Sequence, residues 1–325
     1  MARFYKIILA LTFLIAASAA NLSAETVAVS TSATNAVAAL AEHGATVHAA
    51  PLVSGDAPTL FKIGKFPITN SIVFAWIVVL VICLFVQLAT SKMKDAPSGI
   101  QNLLEAMIEG WDNLAGVILE PKVSRWVFPV AVTFFFFALT SNLMGLLPGV
   151  GSIGYGFADK TSSFSSLPFA IEHAERPLLR PPTADANMTV VMALIFLVMS
   201  FVWALRYNGP VGLLKHVFGV KVEAKKWLYP LLFLMFLFVG LMETLSIVFV
   251  RPLALAVRLY GNIFAGESLL AMMMNTKPFI MGLLISLPFY FFELFVAIVQ
   301  AFVFAMLTLA FVGTLCSHSD EEHGH

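Results

Sequence analysis

Charged side chains are scarce in this chain. Lysine, arginine, aspartate and glutamate make up 12% of its 325 residues, whereas apolar residues make up 59% and phenylalanine alone occurs 30 times. So few charged groups cannot cover the surface of a water-soluble globular protein of this length. The composition therefore predicts an integral membrane protein.

An excess of positive charge is absent as well, and cysteine is rare. The 19 basic residues are balanced by 19 acidic ones, which argues against the basic surface that a nucleic-acid partner requires. Cys83 and Cys316 lie far apart, in or beside apolar segments, so neither a disulfide framework nor a metal site is predicted. Gly149, Gly151 and Gly154 fit the spacing of a nucleotide-binding turn but follow an apolar helix rather than a strand. No cofactor is predicted.

The two ends of the chain are predicted to lie outside the membrane fold. Arg3 and Lys6 precede a short apolar run that ends in small residues, which is typical of a cleaved secretory signal; an uncleaved anchor is the alternative. The chain then divides into residues 1–20 as the signal, 21–70 as an external extension, 71–317 as the membrane domain and 318–325 as a polar cytoplasmic tail.

Three apolar runs, residues 72–89, 126–147 and 188–205, are long enough to cross a hydrocarbon core of about 30 Å. Lysine and arginine are concentrated in the loops after the first and third runs, which predicts that these loops are cytoplasmic and that the mature amino terminus is external. Between the first two runs, apolar residues at helical spacing predict an amphipathic helix on the cytoplasmic surface. Its apolar face comprises Ile100, Leu103, Leu104, Met107, Ile108, Trp111 and Leu114.

The last two apolar segments, residues 228–274 and 279–315, are too long to be ordinary crossings. As continuous helices they would extend about 70 Å and about 55 Å, roughly twice the thickness that a span requires. Pro230, Pro252 and Pro288 offer kink points, and residues 275–278 can form a tight turn. The chain is therefore predicted to be an all-α integral membrane protein with about five membrane helices, the last two forming a long, steeply tilted hairpin against a partner.

Arg258 lies deep inside the first of these long segments. A guanidinium at membrane depth costs roughly 2.5 to 3.5 kcal/mol, which makes it a functional residue by default. Because arginine stays protonated, it can hold a fixed charge but cannot relay protons. Arg258 shares one helical face with Asn262, Ala265 and Leu269, and Gly261 leaves room beside them. This face is predicted to contact a partner helix.

Three further polar residues lie inside the long segments at informative spacings. Glu267 is about half a revolution away from Arg258 and is predicted to face its own bundle. Glu293 and Gln300 lie on nearly the same face of the last segment, beside a stripe of small residues at 297, 301 and 305. Gln300 is predicted to hydrogen-bond Arg258 without neutralising it. The alternative for each glutamate, Glu243 included, is a protonated packing residue.

Five stretches of the chain resemble the signature blocks of subunit a of F-type ATP synthases. In chain order they are SNLMGLLPG (residues 141–149), PTADANMT (182–189), RPLAL (251–255), RLYGNIFAGE (258–267) and QAFVF (300–304). The resemblance runs from about residue 72 to the end of the chain.

The resemblance implies a stator subunit with two offset half-channels that couple proton flow to rotation of a c-ring in the bacterial inner membrane. Arg258 would face the ring carboxylates, which are neutral toward lipid and ionised beside the arginine. Further implied partners are the b subunits of the peripheral stalk and the ATP-hydrolysing head. The ion path or its setting would include Asn262, Glu267, Glu293 and Gln300, with Asp185 and Asn187 toward the external entry and Glu243 as a weaker candidate.

The chain departs from the family pattern in two places. Glu267 and Glu293 are both acids, whereas many members pair a glutamate with a histidine. The interval from Glu243 to Arg258 is one residue longer than in the family, which predicts a local helix bulge near Pro252.

Two other functions remain as alternatives. A secondary transporter or channel would use Arg258 to bind an anionic substrate, but no internal inverted repeat supports it. A membrane scaffold would not explain an arginine and two carboxylates placed in lipid.

Overall fold

The computed structural model describes residues 59–63, 66–91, 93–95, 97–147, 150, 154–155, 176–177, 179–218, 229–274 and 279–316. The predicted signal, most of the external extension, the turn at 275–278 and the polar tail lie outside these residues. Two short antiparallel hairpins accompany the helices: β1 (Thr59–Ile63) with β2 (Phe66–Thr69), and β3 (Gly154–Tyr155) with β4 (Arg176–Pro177).

Helices account for nearly all of the remaining described residues. They are α1 (Asn70–Thr90), α2 (Ile100–Ile118), α3 (Pro121–Gly145), α4 (Ala186–Phe218, interrupted at Gly209), α5 (Tyr229–Leu245), α6 (Arg251–Met274) and α7 (Phe279–Cys316). A 3₁₀ turn, Pro182–Ala184, precedes α4, and a π-helical turn, Ser246–Val250, joins α5 to α6.

The described residues contain five helical stretches that are long and apolar enough to cross a membrane. The three predicted crossings fall in α1, α3 and α4, and the two long segments supply the other two, Leu234–Leu270 and Ile280–Cys316. The predicted all-α class and the predicted number of membrane helices are confirmed. The chain is a multi-pass membrane protein.

The penultimate segment contains the bulge that the sequence predicts. The π-helical turn Ser246–Val250 ends directly before Arg251 and Pro252. A π turn accommodates one extra residue in a helix without breaking it, which agrees with the longer interval between Glu243 and Arg258. Pro288 lies inside α7, which nevertheless continues to Cys316.

The bundle is centred on α3, which packs most extensively against α7 and also contacts α1 and α2. The small-residue stripe of α7, Ala297, Ala301 and Ala305, is completely buried, so the two helices can approach closely. Asn142 of α3 donates a hydrogen bond from Nδ2 to the Ala297 carbonyl oxygen over 3.1 Å. Phe134 meets Phe304 edge to face at 5.6 Å. This contact holds α7 in a fixed position.

The predicted amphipathic helix is confirmed as α2, and the rest of the protein covers only part of its apolar face. Trp111 is buried and lies 4.9 Å from the ring of Phe135 and 5.2 Å from that of Phe302. Ile100 and Leu103, however, are 50% and 54% exposed. Because α2 packs against α1, α3 and α7, only a narrow strip of its surface is covered. The first turn of its apolar face remains open.

Trp111→Ala should therefore destabilise the bundle strongly, by about 3–5 kcal/mol, because it removes a buried aromatic side chain that joins three helices. The matched change Trp76→Ala, at a position 46% exposed on α1, should cost far less. Unfolding of both variants in mixed detergent micelles measures the difference. Equal losses would contradict the packing of α2 described above.

Candidate functional site

One face of α6, within a membrane-spanning stretch, is not covered by the rest of the described chain. Arg258, Asn262, Ala265 and Leu269 are all exposed, whereas the opposite face, with Leu255, Leu259, Ile263 and Gly266, is buried. The predicted grouping of these four residues is confirmed. We call this set, Arg258, Asn262, Ala265 and Leu269, the α6 face.

The α6 face is part of a larger uncovered surface. Only 11% of the most apolar part of Leu234–Leu270 is buried, against 67% for α3. Apolar side chains surround the arginine, among them Leu253 and Val257, which are also exposed. Among the residues that the structure describes, no side chain forms a hydrogen bond or an ion pair with the Arg258 guanidinium. The described residues therefore offer this charge no counter-charge.

Gln300 forms no hydrogen bond with Arg258, so the predicted hydrogen bond is wrong. The Asn262 amide Nδ2 instead donates to Gln300 Oε1 over 2.8 Å, and Gln300 is only 5% exposed. Asn262 lies one helical turn beyond Arg258, on the side of α6 from which it reaches the buried amide of α7. This bond joins α6 to α7 one helical turn from the arginine. Because both amides are uncharged, the bond does not neutralise the guanidinium.

Two acidic residues lie behind the α6 face. Glu293 of α7 is 6% exposed, and its carboxyl group lies directly against Gly266 of α6, where a side chain on the glycine would overlap it. Glu267 is the next residue on α6 and is half-buried, about half a revolution from the exposed Arg258, which agrees with the prediction that it faces its own bundle. We call Glu267 and Glu293 the acid pair.

One oxygen of the acid pair lacks a protein partner. Glu293 Oε1 is buried and has no hydrogen-bond partner among the residues described in the structure. A buried carboxyl oxygen without a partner is costly.

The turn before α4 supplies the remaining polar groups. It contacts α6, the helix that carries Glu267. Asp185 is 3% exposed and caps α4, because its Oδ1 accepts the backbone N–H of Asn187 over 3.0 Å. Asn187 is half-buried on the first turn of α4. The turn that ends at Asp185 and the helix α4, which carries Asn187, both pack against α6. The capping bond means that Asp185 also has a structural role.

Arg180 is a residue of this region that the sequence interpretation missed. It is 4% exposed and donates from Nη2 to the Ala184 carbonyl oxygen over 3.0 Å. Its position directly before the PPTAD stretch was a usable signal.

Glu243 lies on a different helix from the acid pair. It is half-buried on α5, before the π-helical turn. No cluster of three or more potential metal-ligating side chains occurs in the described part of the chain.

Gly266→Ala should destabilise the protein by about 1–3 kcal/mol, because the added methyl group overlaps the Glu293 carboxyl group and forces it to move. The matched control is Gly261→Ala on the same helix, where nothing lies within 4 Å of the added carbon. Unfolding in mixed detergent micelles should show a loss for the first variant and no loss for the second. Similar stability of the two variants would contradict the contact between Gly266 and Glu293.

Comparison with known proteins identifies a family for the part of the chain that contains the α6 face and the acid pair. The family described as ATP synthase A chain matches residues 72–313. ATP synthase subunit a 1 of Pelobacter propionicus is 30% identical over 243 residues, covering 75% of this chain and 86% of the relative.

Two further relatives are equally similar. ATP synthase subunit a of Desulforamulus reducens is 30% identical over 262 residues, covering 78% of this chain and 82% of the relative. ATP synthase subunit a of Gloeobacter violaceus is 30% identical over 258 residues, covering 78% and 86%. The matched region contains both the α6 face and the acid pair, and the chain belongs to the ATP synthase A chain family.

Proposed function

We propose that this chain is the proton-translocating stator subunit of an F-type ATP synthase. In this role it couples proton flow across the membrane to rotation of a c-ring. Family membership supports the proposal, and the observation that carries it is the exposed, unpaired guanidinium of Arg258 on the α6 face.

An exposed guanidinium in a membrane-spanning helix requires an acidic partner. Contact with lipid alone would cost roughly 2.5–3.5 kcal/mol, and the described residues of this chain offer no counter-charge. A ring of helices that carries carboxylates would satisfy the arginine and would also cover the apolar residues around it. A neighbouring small-residue position, Gly261, lets the backbone of such a helix approach.

The arginine would make the protonation of each ring carboxylate depend on the rotation angle. A carboxyl group facing lipid stays neutral, whereas one beside a fixed positive charge is stabilised as the anion. Asn262 and Gln300 support this role because they bind each other and leave Arg258 unneutralised. The arginine also separates the two half-channels, because protons are repelled from a fixed cation.

The acid pair would supply protons to the ring from the external side. Glu267 and Glu293 lie behind the α6 face, and the same helix packs against the turn that ends at Asp185 and against α4, which carries Asn187. This order, from turn to acid pair to α6 face, is the external half-channel that we propose. Glu243 remains a weaker candidate for the path.

The membrane potential would then set the direction of rotation. Moving one elementary charge through 100 mV changes its free energy by about 2.3 kcal/mol. Because the two half-channels are offset, this free energy favours one direction of ring rotation. Further partners in this proposal are the peripheral-stalk b subunits and the ATP-hydrolysing head. We propose a location in the bacterial inner membrane with a cleaved signal at residues 1–20, an external amino terminus and a cytoplasmic carboxyl terminus.

Arg258→Ala should reduce ATP-driven proton pumping and ATP synthesis to the background of the vesicles, because the fixed charge that separates the half-channels is gone. The complex should still assemble, since the Arg258 side chain forms no hydrogen bond or ion pair within the described residues. The measurement is proton pumping in inverted membrane vesicles, alongside the amount of c-ring that copurifies.

Arg251→Ala is the matched control for this change. Arg251 begins the same helix but binds Thr314 Oγ1 over 3.2 Å and lies 5.2 Å from the Phe311 ring, so it is engaged within its own chain. This variant should retain pumping. Retained ATP synthesis in the Arg258→Ala vesicles would overturn the proposal.

A further inference from the structure

Buried polar side chains are unevenly distributed along the helix pair formed by α3 and α7. The two helices run antiparallel. Near one end the Tyr290 hydroxyl group donates to the Leu146 carbonyl oxygen over 2.7 Å, and near the other a carbon added to Gly313 would lie 3.4 Å from Leu119. We call the first the turn end, because the turn Pro182–Ala184 joins α3 there, and the second the far end.

The buried charged and amide side chains of α3 and α7 all lie toward the turn end, within the part of both helices that the structure describes. They are Asn142, Glu293 and Gln300, and none is more than 6% exposed. The nearby turn adds the buried Thr183 and Asp185. Because polar side chains inside a membrane mark the path of an ion, this distribution indicates that the path within the bundle belongs to the turn end.

The core between α3 and α7 becomes apolar at the level of one aromatic pair. The rings of Phe134 and Phe304 meet edge to face at 5.6 Å. From this level to the far end, the core contains five apolar side chains that are at most 1% exposed: Val127, Phe134, Phe304, Leu309 and Val312. We call these five residues the plug. Phe304 and Val312 are eight residues apart, so the plug extends about 12 Å along α7.

The buried hydroxyl groups beside the plug do not interrupt it. Each of them donates to the carbonyl oxygen four residues earlier in its own helix, over 2.7 to 2.9 Å. A hydroxyl group bonded in this way is satisfied without water. They belong to Thr133 of α3, Ser200 of α4 and Thr308 of α7. The plug is therefore surrounded by groups that have partners inside the helices.

We propose that the plug is a dry barrier that ends the proton path inside the bundle. The inference rests on the proposed function. Closely packed apolar side chains leave no room for water, and an apolar constriction without water does not conduct ions. A proton on the acid pair can then leave only sideways, to the ring carboxylate at the α6 face. The plug prevents a leak straight along α3 and α7, whereas Arg258 separates the half-channels at the ring surface.

The test is Leu309→Asn, which places an amide of similar volume in the plug. The whole complex is reconstituted into lipid vesicles with a ring whose carboxylate is replaced by the amide, so that no proton can cross on the ring. Passive proton flux is then measured under an imposed membrane potential. Leu309→Asn should raise this flux roughly tenfold or more over the unchanged chain, because the amide admits water into the constriction. Background flux in assembled Leu309→Asn complexes would overturn the proposal.

Two variants serve as matched controls. Leu309→Met keeps the plug apolar at nearly constant volume, so its flux should remain at the background. Leu80→Asn makes the same change as the test variant at a position 60% exposed on α1, and its flux should also remain at the background. Equal leaks from the two asparagine variants would show a general effect of a polar group in the bundle, and the plug would lose its assigned role.

A second measurement covers the case in which Leu309→Asn does not assemble. In a structure of the intact, unchanged complex that resolves water, ordered water should reach Asn142 and Glu293 and stop at the pair formed by Phe134 and Phe304. A chain of water molecules between Val127 and Leu309 would contradict a dry barrier.

The proposed function is tested separately, by Arg258→Ala with the normal ring. If Arg258→Ala abolishes coupling while Leu309→Asn stays tight, only the present inference is wrong. If Arg258→Ala retains ATP synthesis, the proposed function fails whatever the flux through Leu309→Asn.

Discussion

The fixed positive charge of Arg258 in a membrane-spanning helix is the constraint on which the rest of the structure depends. A guanidinium at this depth is tolerated only when an opposite charge compensates it, and the described residues of the chain do not provide one at the α6 face. In the function proposed above, a carboxylate of the c-ring supplies the opposite charge. α5, α6 and α7 also expose many apolar side chains, as expected of helices that contact lipid or a partner helix.

The packing of the bundle keeps this charge where a partner can meet it. α7 is held against α3 by its buried alanine stripe and by the bond from Asn142 to the Ala297 carbonyl oxygen. α6 is in turn held to α7 by Asn262 and Gln300. The π-helical turn Ser246–Val250 directly precedes Arg251 at the start of α6.

Much of this architecture could be predicted from the sequence because it follows from length and periodicity. Run lengths predicted the five membrane helices, and helical spacing placed Arg258 and Asn262 on one face with Glu267 on the other. The hydrogen bond of Gln300 with Asn262 could not be predicted. Helical spacing shows which face of α7 carries Gln300, but not whether it lies beside Arg258 or beside Asn262, one turn further along α6. Arg180 was missed for a related reason: the turn before α4 is brought to α6 only by tertiary packing, which leaves no local pattern.

The most direct measurement of the central claim is a structure of the intact membrane complex that resolves the Arg258 side chain. The account predicts that its guanidinium lies within about 4–6 Å of a carboxylate on a helix of the ring, the range in which an opposite charge controls ionisation. An Arg258 guanidinium that faces lipid, or that is enclosed by its own chain with no ring helix beside it, would contradict the account.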